Sequence, residues 1–194
     1  MLTQFLTDVV YHADFIQSIQ STVTSISLPN WTCNDPEYTE FDFSRFASLQ
    51  YLVIGDNCFG SVKTFQIDGL NQLRCIKIGK NSFTGEKNGD GNDSSKSFHI
   101  LNCVELESIE IGEYSFSDFS GQFELKNLFS LRSIVIGSMK MYSSNFYYCS
   151  FVIRGKIEMA NTDQIDLPNL QSITLGCYTF SDSVTTVLES IQLH

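Results

Sequence analysis

Long apolar runs and basic residues are both scarce in this sequence. No run approaches the ~18 apolar residues of a transmembrane helix, so we expect no insertion into a membrane. Only 12 Lys and Arg stand against 22 Asp and Glu, which gives a net charge of −10. A surface of that sign repels phosphate backbones. Nucleic-acid binding is therefore not expected.

Convergent histidines and paired cysteines are also missing. His12, His99 and His194 lie in different parts of the chain, whereas an enzyme needs acid, base or nucleophile groups that converge. The six cysteines include no C-x-x-C pair and no zinc-ligand spacing with a nearby histidine. We therefore predict no catalysis, metal or cofactor, and we interpret the cysteines as buried free thiols that pack like small apolar residues.

What the sequence does contain is one short pattern, L-x-x-I-x-I-G, repeated along the chain. Its first positions are separated by 26, 24, 33, 25, 39 and 18 residues, so the base period is about 25. A period in that range predicts a solenoid of the leucine-rich-repeat type. With small variations, the pattern begins at residues 23, 49, 73, 106, 131, 170 and 188.

Each copy of the pattern predicts a short β-strand followed by a corner. The two Ile positions are two residues apart, so they share one face of a strand, and the residue between them faces the other way. The glycine after the strand indicates either a positive φ or a close approach of stacked backbones. Four residues after it, an inward-facing ladder is predicted, consisting of Phe59, Phe83, Phe116, Met141 and Phe180.

A second apolar-polar-apolar triplet precedes five of these copies. It predicts a second short strand in each repeat, so that stacking builds two narrow parallel sheets around one core. The triplets begin at Phe41, Phe65, Phe98, Phe123 and Ile157. The predicted fold is therefore a mainly β repeat solenoid over residues 23–194.

Residues 1–22 do not follow the repeat and are predicted to form an N-terminal cap. A signal peptide is not favoured, because there is no basic segment and Asp8, His12 and Asp14 interrupt the apolar positions. Solenoids need their end repeats covered. The apolar residues advance in steps of four and three, which is typical of a helix: Leu2, Leu6, Val9, Ala13 and Ile16.

Two insertions lengthen the repeat. Residues 84–97 are polar and rich in Gly, Asn and Ser, so we predict a mobile, solvated loop. Residues 142–156 are instead aromatic, and in water they would form a large apolar patch. They are expected to lie against either the flank of the solenoid or a partner. The aromatic residues are Tyr142, Phe146, Tyr147, Tyr148 and Phe151.

Outward strand positions and the aromatic insertion supply the candidate partner-binding residues. Lys77 and Glu110 share an outward column in successive repeats, where the simplest interpretation is a surface salt bridge of less than ~1 kcal/mol. Aromatic side chains are enriched at interfaces. The candidates are Tyr51, Lys77, Glu110, Tyr142, Tyr147 and Tyr148.

One repeat carries a family resemblance. The stretch F-H-I-L-N-C-V-E-L-E-S-I-E-I at 98–111, followed by Phe116, resembles the BspA-like class of leucine-rich repeats. The resemblance extends over about residues 20–194. It implies a surface or secreted protein that acts in adhesion and partner binding.

Two functions remain as hypotheses. The first is a protein-interaction or adhesion module that presents its repeat surface to a protein partner. The alternative is a structural segment of a larger assembly that self-associates through open edges of the repeat array. The pattern that begins at residue 188 suggests this, because it stops within a repeat.

Overall fold

The computed structural model describes residues 3–5, 18–85, 91–140, 142–154, 167–183 and 186–189. In these residues the protein is mainly β, with almost no helix, and none of its helical segments is long and apolar enough to cross a membrane. The strands are β1 (Thr3–Phe5), β2 (Ser25–Leu28), β3 (Glu40–Asp42), β4 (Tyr51–Ile54), β5 (Thr64–Asp68), β6 (Cys75–Ile78), β7 (Ser97–Leu101), β8 (Ser108–Ile111), β9 (Phe123–Lys126), β10 (Ser133–Ile136), β11 (Phe151–Arg154), β12 (Ser172–Leu175) and β13 (Thr186–Glu189).

The strands form parallel sheets in which alternate strands of the chain pair. A seven-stranded sheet, here called the long sheet, has the order β1-β2-β4-β6-β8-β10-β12. A four-stranded sheet has the order β3-β5-β7-β9, and β11 and β13 form a two-stranded sheet that contacts β9 through β11. Parallel neighbours need crossover connections. From β2 to β10 each crossover passes through a strand of the four-stranded sheet.

The apolar positions of the repeated pattern stack in register across the long sheet. On one face, Ile109 of β8 lies between the corresponding isoleucines of β6 and β10. On the other face, Glu110 is exposed and Val135 is partly exposed. Four isoleucines predicted to be core residues are at most 2% exposed: Ile109, Ile111, Ile134 and Ile136. The prediction of which strand face is buried is confirmed.

Phenylalanine rings fill the core as two parallel columns. Neighbouring rings within each column are stacked with centroids 4.7–5.2 Å apart. Rings of one column meet rings of the other edge-on, as Phe65 meets Phe116 at 5.4 Å and 82°. Such pairs contribute ~0.5–1.5 kcal/mol each beyond the area they bury. One column is Phe59, Phe83, Phe116, Phe146 and Phe180, and the other is Phe41, Phe65, Phe98 and Phe123.

The glycines that follow β4, β6, β8 and β12 are required by the close approach of neighbouring backbones. A methyl group on Gly112 would lie 2.7 Å from the carbonyl carbon of Gly79, which is too close for any real contact. Gly137, which follows β10, has a positive φ of 75°. The residues with a left-handed backbone conformation follow the glycine in the corner and are not glycines themselves. Examples are Asn81 and Phe83, with φ values of 53° and 56°.

The N-terminal end of the predicted array differs from the structure. Thr3–Phe5 pairs with β2 as a parallel strand, so the predicted helical cap is not seen, and all five residues of its apolar stripe lie outside the described residues. At the other end, Thr186–Glu189 pairs with β11 and not with β12. The strand expected from the predicted repeat at residue 188 would span residues 190–193, which lie outside the described residues, so that repeat stays a prediction.

The aromatic insertion shifts two predicted positions. Phe146 occupies the ladder place between Phe116 and Phe180 that was predicted for Met141, and Met141 itself lies outside the described residues. The strand that contacts β9 is β11, which begins at Phe151. The triplet predicted at Ile157 lies outside the described residues. The additional residues therefore lie within the corner, ahead of the inward-facing ring.

The first insertion is fixed where it meets the repeats. Lys96 donates to Asp118 at 2.6 Å, and their side chains are only 8% and 6% exposed. The Thr84 hydroxyl, also buried, lies 2.8 Å from that of Ser117. The prediction of a solvated loop is thus wrong for Thr84 and Lys96, whereas Asn92, Ser94 and Ser95 are exposed, and residues 86–90 lie outside the described part of the chain.

Candidate binding surface

Three of the predicted site residues lie on the outer face of the long sheet. Tyr51 projects from β4 and is 44% exposed. Lys77 of β6 donates a hydrogen bond of 2.9 Å to Glu110 of β8, and this bond raises the pKa of Lys77. Both side chains are about half exposed, at 53% and 52%. An ion pair this open contributes little to stability, so its geometry supports the surface salt bridge that was the simplest prediction.

That ion pair belongs to a row of three between the same two repeats. Arg74 lies 3.7 Å from Glu107, and Lys80 lies 3.2 Å from Glu113. One repeat thus presents three cations to three carboxylates of the next. Because opposite charges neutralise each other there, this part of the outer face offers no net charge to attract a partner.

The other three predicted residues gather at the aromatic insertion, together with a fourth tyrosine. Tyr142 forms a parallel β-bridge with Cys177 and stacks on Tyr178 at 5.0 Å. Tyr147 lies 6.5 Å from Tyr178 and 4.9 Å from Tyr148, measured between ring centroids. We call these four tyrosines the tyrosine surface. Tyr51 lies elsewhere, since four strand spacings of ~4.8 Å separate β4 from β12.

A shallow depression adjoins the tyrosine surface. It has a volume of about 300 Å³ and is lined by Met139, Lys140, Tyr142, Cys177 and Tyr178. The exposed fractions are 67% for Met139, 65% for Tyr142 and 46% for Tyr178. Large apolar groups are therefore exposed together with hydroxyl groups on an otherwise acidic protein. Clusters of this composition are typical of protein interfaces.

Buried polar groups hold the tyrosine surface in place. Tyr114 donates its backbone N–H to the carbonyl of Ser143 at 2.6 Å, and the Ser143 hydroxyl accepts from the Ser138 N–H at 2.7 Å. The fully buried Asn145 side chain donates to the carbonyls of Gly112 and Ser115, both at 2.8 Å. With Phe146 inserted in the ring column as well, the backbone that carries the tyrosines is well anchored. A partner would therefore lose little entropy in ordering it.

Sequence reasoning missed Tyr178 and Met139. A signal for Tyr178 was present, because it stands two residues before a ladder phenylalanine, as Asn57, Asn81 and Tyr114 do. These residues share a positive φ, and each is partly or fully exposed. Met139 had no such signal, because it lies in the extra part of the corner that occurs once in the chain.

A larger depression lies on the four-stranded sheet but has different chemistry. It has a volume of about 560 Å³, and its lining includes Glu40 and Asp42, the first and last residues of β3, and Asp68, the last residue of β5. Exposed carboxylates dominate it, and none of its lining residues is basic. We favour the smaller tyrosine surface as the binding site, because it offers the aromatic anchors that carry binding energy at interfaces.

Burial disfavours the charged, reactive form of four of the six cysteines. Burial raises the pKa of Cys33 and Cys149 to about 12 and that of Cys103 to about 11. Burial also raises the pKa of Cys58. Only a thiolate reacts readily. Cys177, beside Tyr142, is the exposed thiol among the described residues.

No family model, curated protein or solved structure matches the chain.

Proposed function

We propose that this chain is a protein-interaction module, built as a solenoid of the leucine-rich-repeat type, that contacts a protein partner through its tyrosine surface. The solenoid part is supported by the single register of the long sheet and by the two ring columns that advance one phenylalanine per repeat. The BspA-like resemblance of the repeats points to the same class of scaffold, and to an adhesion role.

The observation that carries the binding proposal is the exposure of Tyr142 and Tyr178 beside Met139. Their rings stack on each other, yet Tyr142 stays 65% exposed and Tyr178 46% exposed, so part of each apolar ring remains in water. Tyrosine supplies a large contact area with few rotatable bonds, and methionine supplies one that adapts its shape. Both residue types are enriched at interfaces. The anchored backbone beneath them makes the surface a preorganised one.

Substitution of the two exposed tyrosines tests this proposal. Proteins captured from an extract of the source cells by the immobilised chain are identified, and the affinity of the purified partner is then measured. Tyr142→Ser combined with Tyr178→Ser is expected to weaken binding at least about tenfold, because exposed aromatic anchors carry most of the energy of an interface. The melting temperature should stay within a few degrees of the original.

The control is Tyr51→Ser, which removes an exposed tyrosine from the outer face of the long sheet. It should bind the partner as the original chain does. If the control loses binding and the double variant keeps it, the outer face of the long sheet is the binding site. If Tyr147→Ser with Tyr148→Ser lowers only the melting temperature, those two half-buried tyrosines serve the fold.

A further inference from the structure

We infer that the tyrosine surface binds a proline-rich segment of its partner in the polyproline II conformation, with an acidic residue of that segment beside Lys140. This inference rests on the proposed function and names the chemistry of the partner. Three features support it, namely the arrangement of the rings, the pairing of the backbone beneath them and the charges at the two ends of the surface.

Three rings of the tyrosine surface are nearly parallel, with Tyr178 between the other two. Tyr178 is inclined to Tyr142 by 29° at a centroid distance of 5.0 Å, and to Tyr147 by 17° at 6.5 Å. Tyr148 follows at 4.9 Å from Tyr147. A polyproline II helix rises ~3.1 Å per residue, so about five of its residues reach from one end of this row of rings to the other.

The chemistry of the row matches that of a polyproline II segment. Such a segment has no internal hydrogen bonds, so its backbone carbonyls need donors, and its prolines bring no N–H that would need an acceptor. Tyrosine hydroxyls and the Lys140 ammonium group are donors. The ring surface that stays exposed on Tyr142 and Tyr178 contacts the proline rings. Proline-rich segments dock on aromatic-lined surfaces in this way, and their preformed conformation reduces the entropy lost on binding.

Two other ways of binding a peptide do not fit this place. A β-strand adds to a free row of backbone groups, whereas the Ser143 N–H here already donates to the carbonyl of Cys177 in the next repeat at 3.0 Å. An amphipathic helix needs a groove for several turns of apolar side chains, whereas the depression has a volume of only about 300 Å³. A polyproline II segment needs only a shallow aromatic surface.

Charges of opposite sign flank the row of rings. Of the described residues that line the depression beside Tyr142, Lys140 alone is charged, and it is exposed. Beside Tyr147, at the other end of the row, Asp182 is exposed, and its backbone N–H donates to the Tyr147 carbonyl at 2.9 Å. Opposite charges favour a complex and like charges oppose it. The segment therefore carries its acidic residue at the Lys140 end and none at the Asp182 end.

Fluorescence anisotropy with a labelled synthetic peptide tests this inference without an identified partner. The probe has one glutamate followed by a run of prolines and leucines, and the matched control peptide has alanine in place of each proline. We expect saturable binding of the probe at micromolar concentrations. The alanine peptide should bind at least about tenfold more weakly, because it must lose more entropy to become extended.

Variants of the chain locate the contact. Tyr142→Ser combined with Tyr178→Ser should weaken binding of the probe at least about tenfold. Lys140→Glu should weaken binding of the glutamate probe more than that of a probe with glutamine in its place. The controls are Tyr51→Ser and Lys63→Glu, which change exposed residues away from the row and should bind the probe as the original chain does.

The outcomes separate this inference from the proposed function. Equal binding of the proline and alanine peptides, or no saturable binding of either, would overturn the inference. If the partner captured from the cell extract then still depends on Tyr142 and Tyr178, the proposed function stands with a partner of different chemistry. If neither the probe nor the captured partner responds to the two substitutions, both proposals fail.

Discussion

At the scale of single residues, two glycines that look alike in the sequence have different physical reasons to be glycine. Gly112 lies against the Gly79 backbone of the preceding repeat with no room for a methyl group. Gly69 has a φ of 72°, and a side chain there would meet nothing within 4 Å. The corresponding positions of later repeats are Asn102 and Asn127, with φ values of 54° and 55°. Lack of space for a side chain therefore explains the first glycine, and the left-handed backbone conformation explains the second.

We therefore expect opposite outcomes for substitutions at these two positions. Gly112→Ala should destabilise the protein by about 1–3 kcal/mol, because the backbone of the stacked repeats must move apart. Gly69→Asn should change stability by less than about 0.5 kcal/mol, since asparagine tolerates the left-handed conformation and faces solvent. Urea unfolding of both variants measures the difference. Equal costs at the two positions would contradict the packing explanation.

The buried thiols predict how stability depends on pH. In the folded protein burial raises the pKa of Cys33 and Cys149 from an ordinary 9.0 to about 12, and it also raises the pKa of Tyr38. The unfolded chain releases the two thiol protons near pH 9, so their contribution to stability is complete below that pH and is lost as pH rises toward 12. The free energy of unfolding, measured from pH 7 to 11, should fall above pH 9.

A matched pair of cysteine variants tests the cause of that fall. Cys149→Ala removes a buried thiol and should reduce the slope above pH 9, whereas Cys177→Ala removes an exposed one and should not. Iodoacetamide at pH 8 should label Cys177 in the native protein and leave Cys149 protected. Rapid labelling of Cys149 in the native state would show that the thiol is not buried.

At the scale of elements, the sequence predicts what recurs and fails on what occurs once. The strand of each repeat was predictable because the same positions are apolar in successive copies, so each copy supports the others. The insertions have no second copy to compare with. Phe146 therefore could not be recognised as the ladder residue, and Lys96 gave no sign that it would be buried. The three predicted tyrosines of the insertion do lie together, because five aromatics within ten residues had to be ordered somewhere.

The first insertion depends on one buried ion pair. Lys96→Met would leave the Asp118 carboxylate buried without its cation, and one oxygen of Asp118 already has no hydrogen-bond partner. Removing one member of a buried pair costs about 3–5 kcal/mol, so we expect a large fall in the melting temperature. Lys63→Met, at an exposed lysine, is the control and should have little effect. Adding Asp118→Leu to Lys96→Met should recover part of the loss, and no recovery would indicate that the pair acts by more than charge.

At the scale of the whole molecule, stability should vary along the stack. Each repeat contacts mainly its neighbours, so a central repeat is supported from two sides, whereas the last repeat among the described residues has a described neighbour on one side. Phe116 is fully buried and contacts Phe83 and Phe146 in its own column. Phe180 is 6% exposed and has Phe146 as the column neighbour that the described residues supply. The chemistry of the two positions is the same, and only their place in the stack differs.

Truncating these two rings should therefore have different consequences. Phe116→Ala should cost about 3–5 kcal/mol, as for a large residue removed from a packed core, and should lower the stability of all repeats together. Phe180→Ala should cost less, because its environment is already incomplete on one side. Urea unfolding gives the two costs. Hydrogen exchange locates them: in Phe180→Ala the amides of β12 should lose protection while those of β6 keep theirs. Equal loss of protection along the long sheet in both variants would mean that the molecule unfolds as one unit, and the nearest-neighbour account would then be wrong.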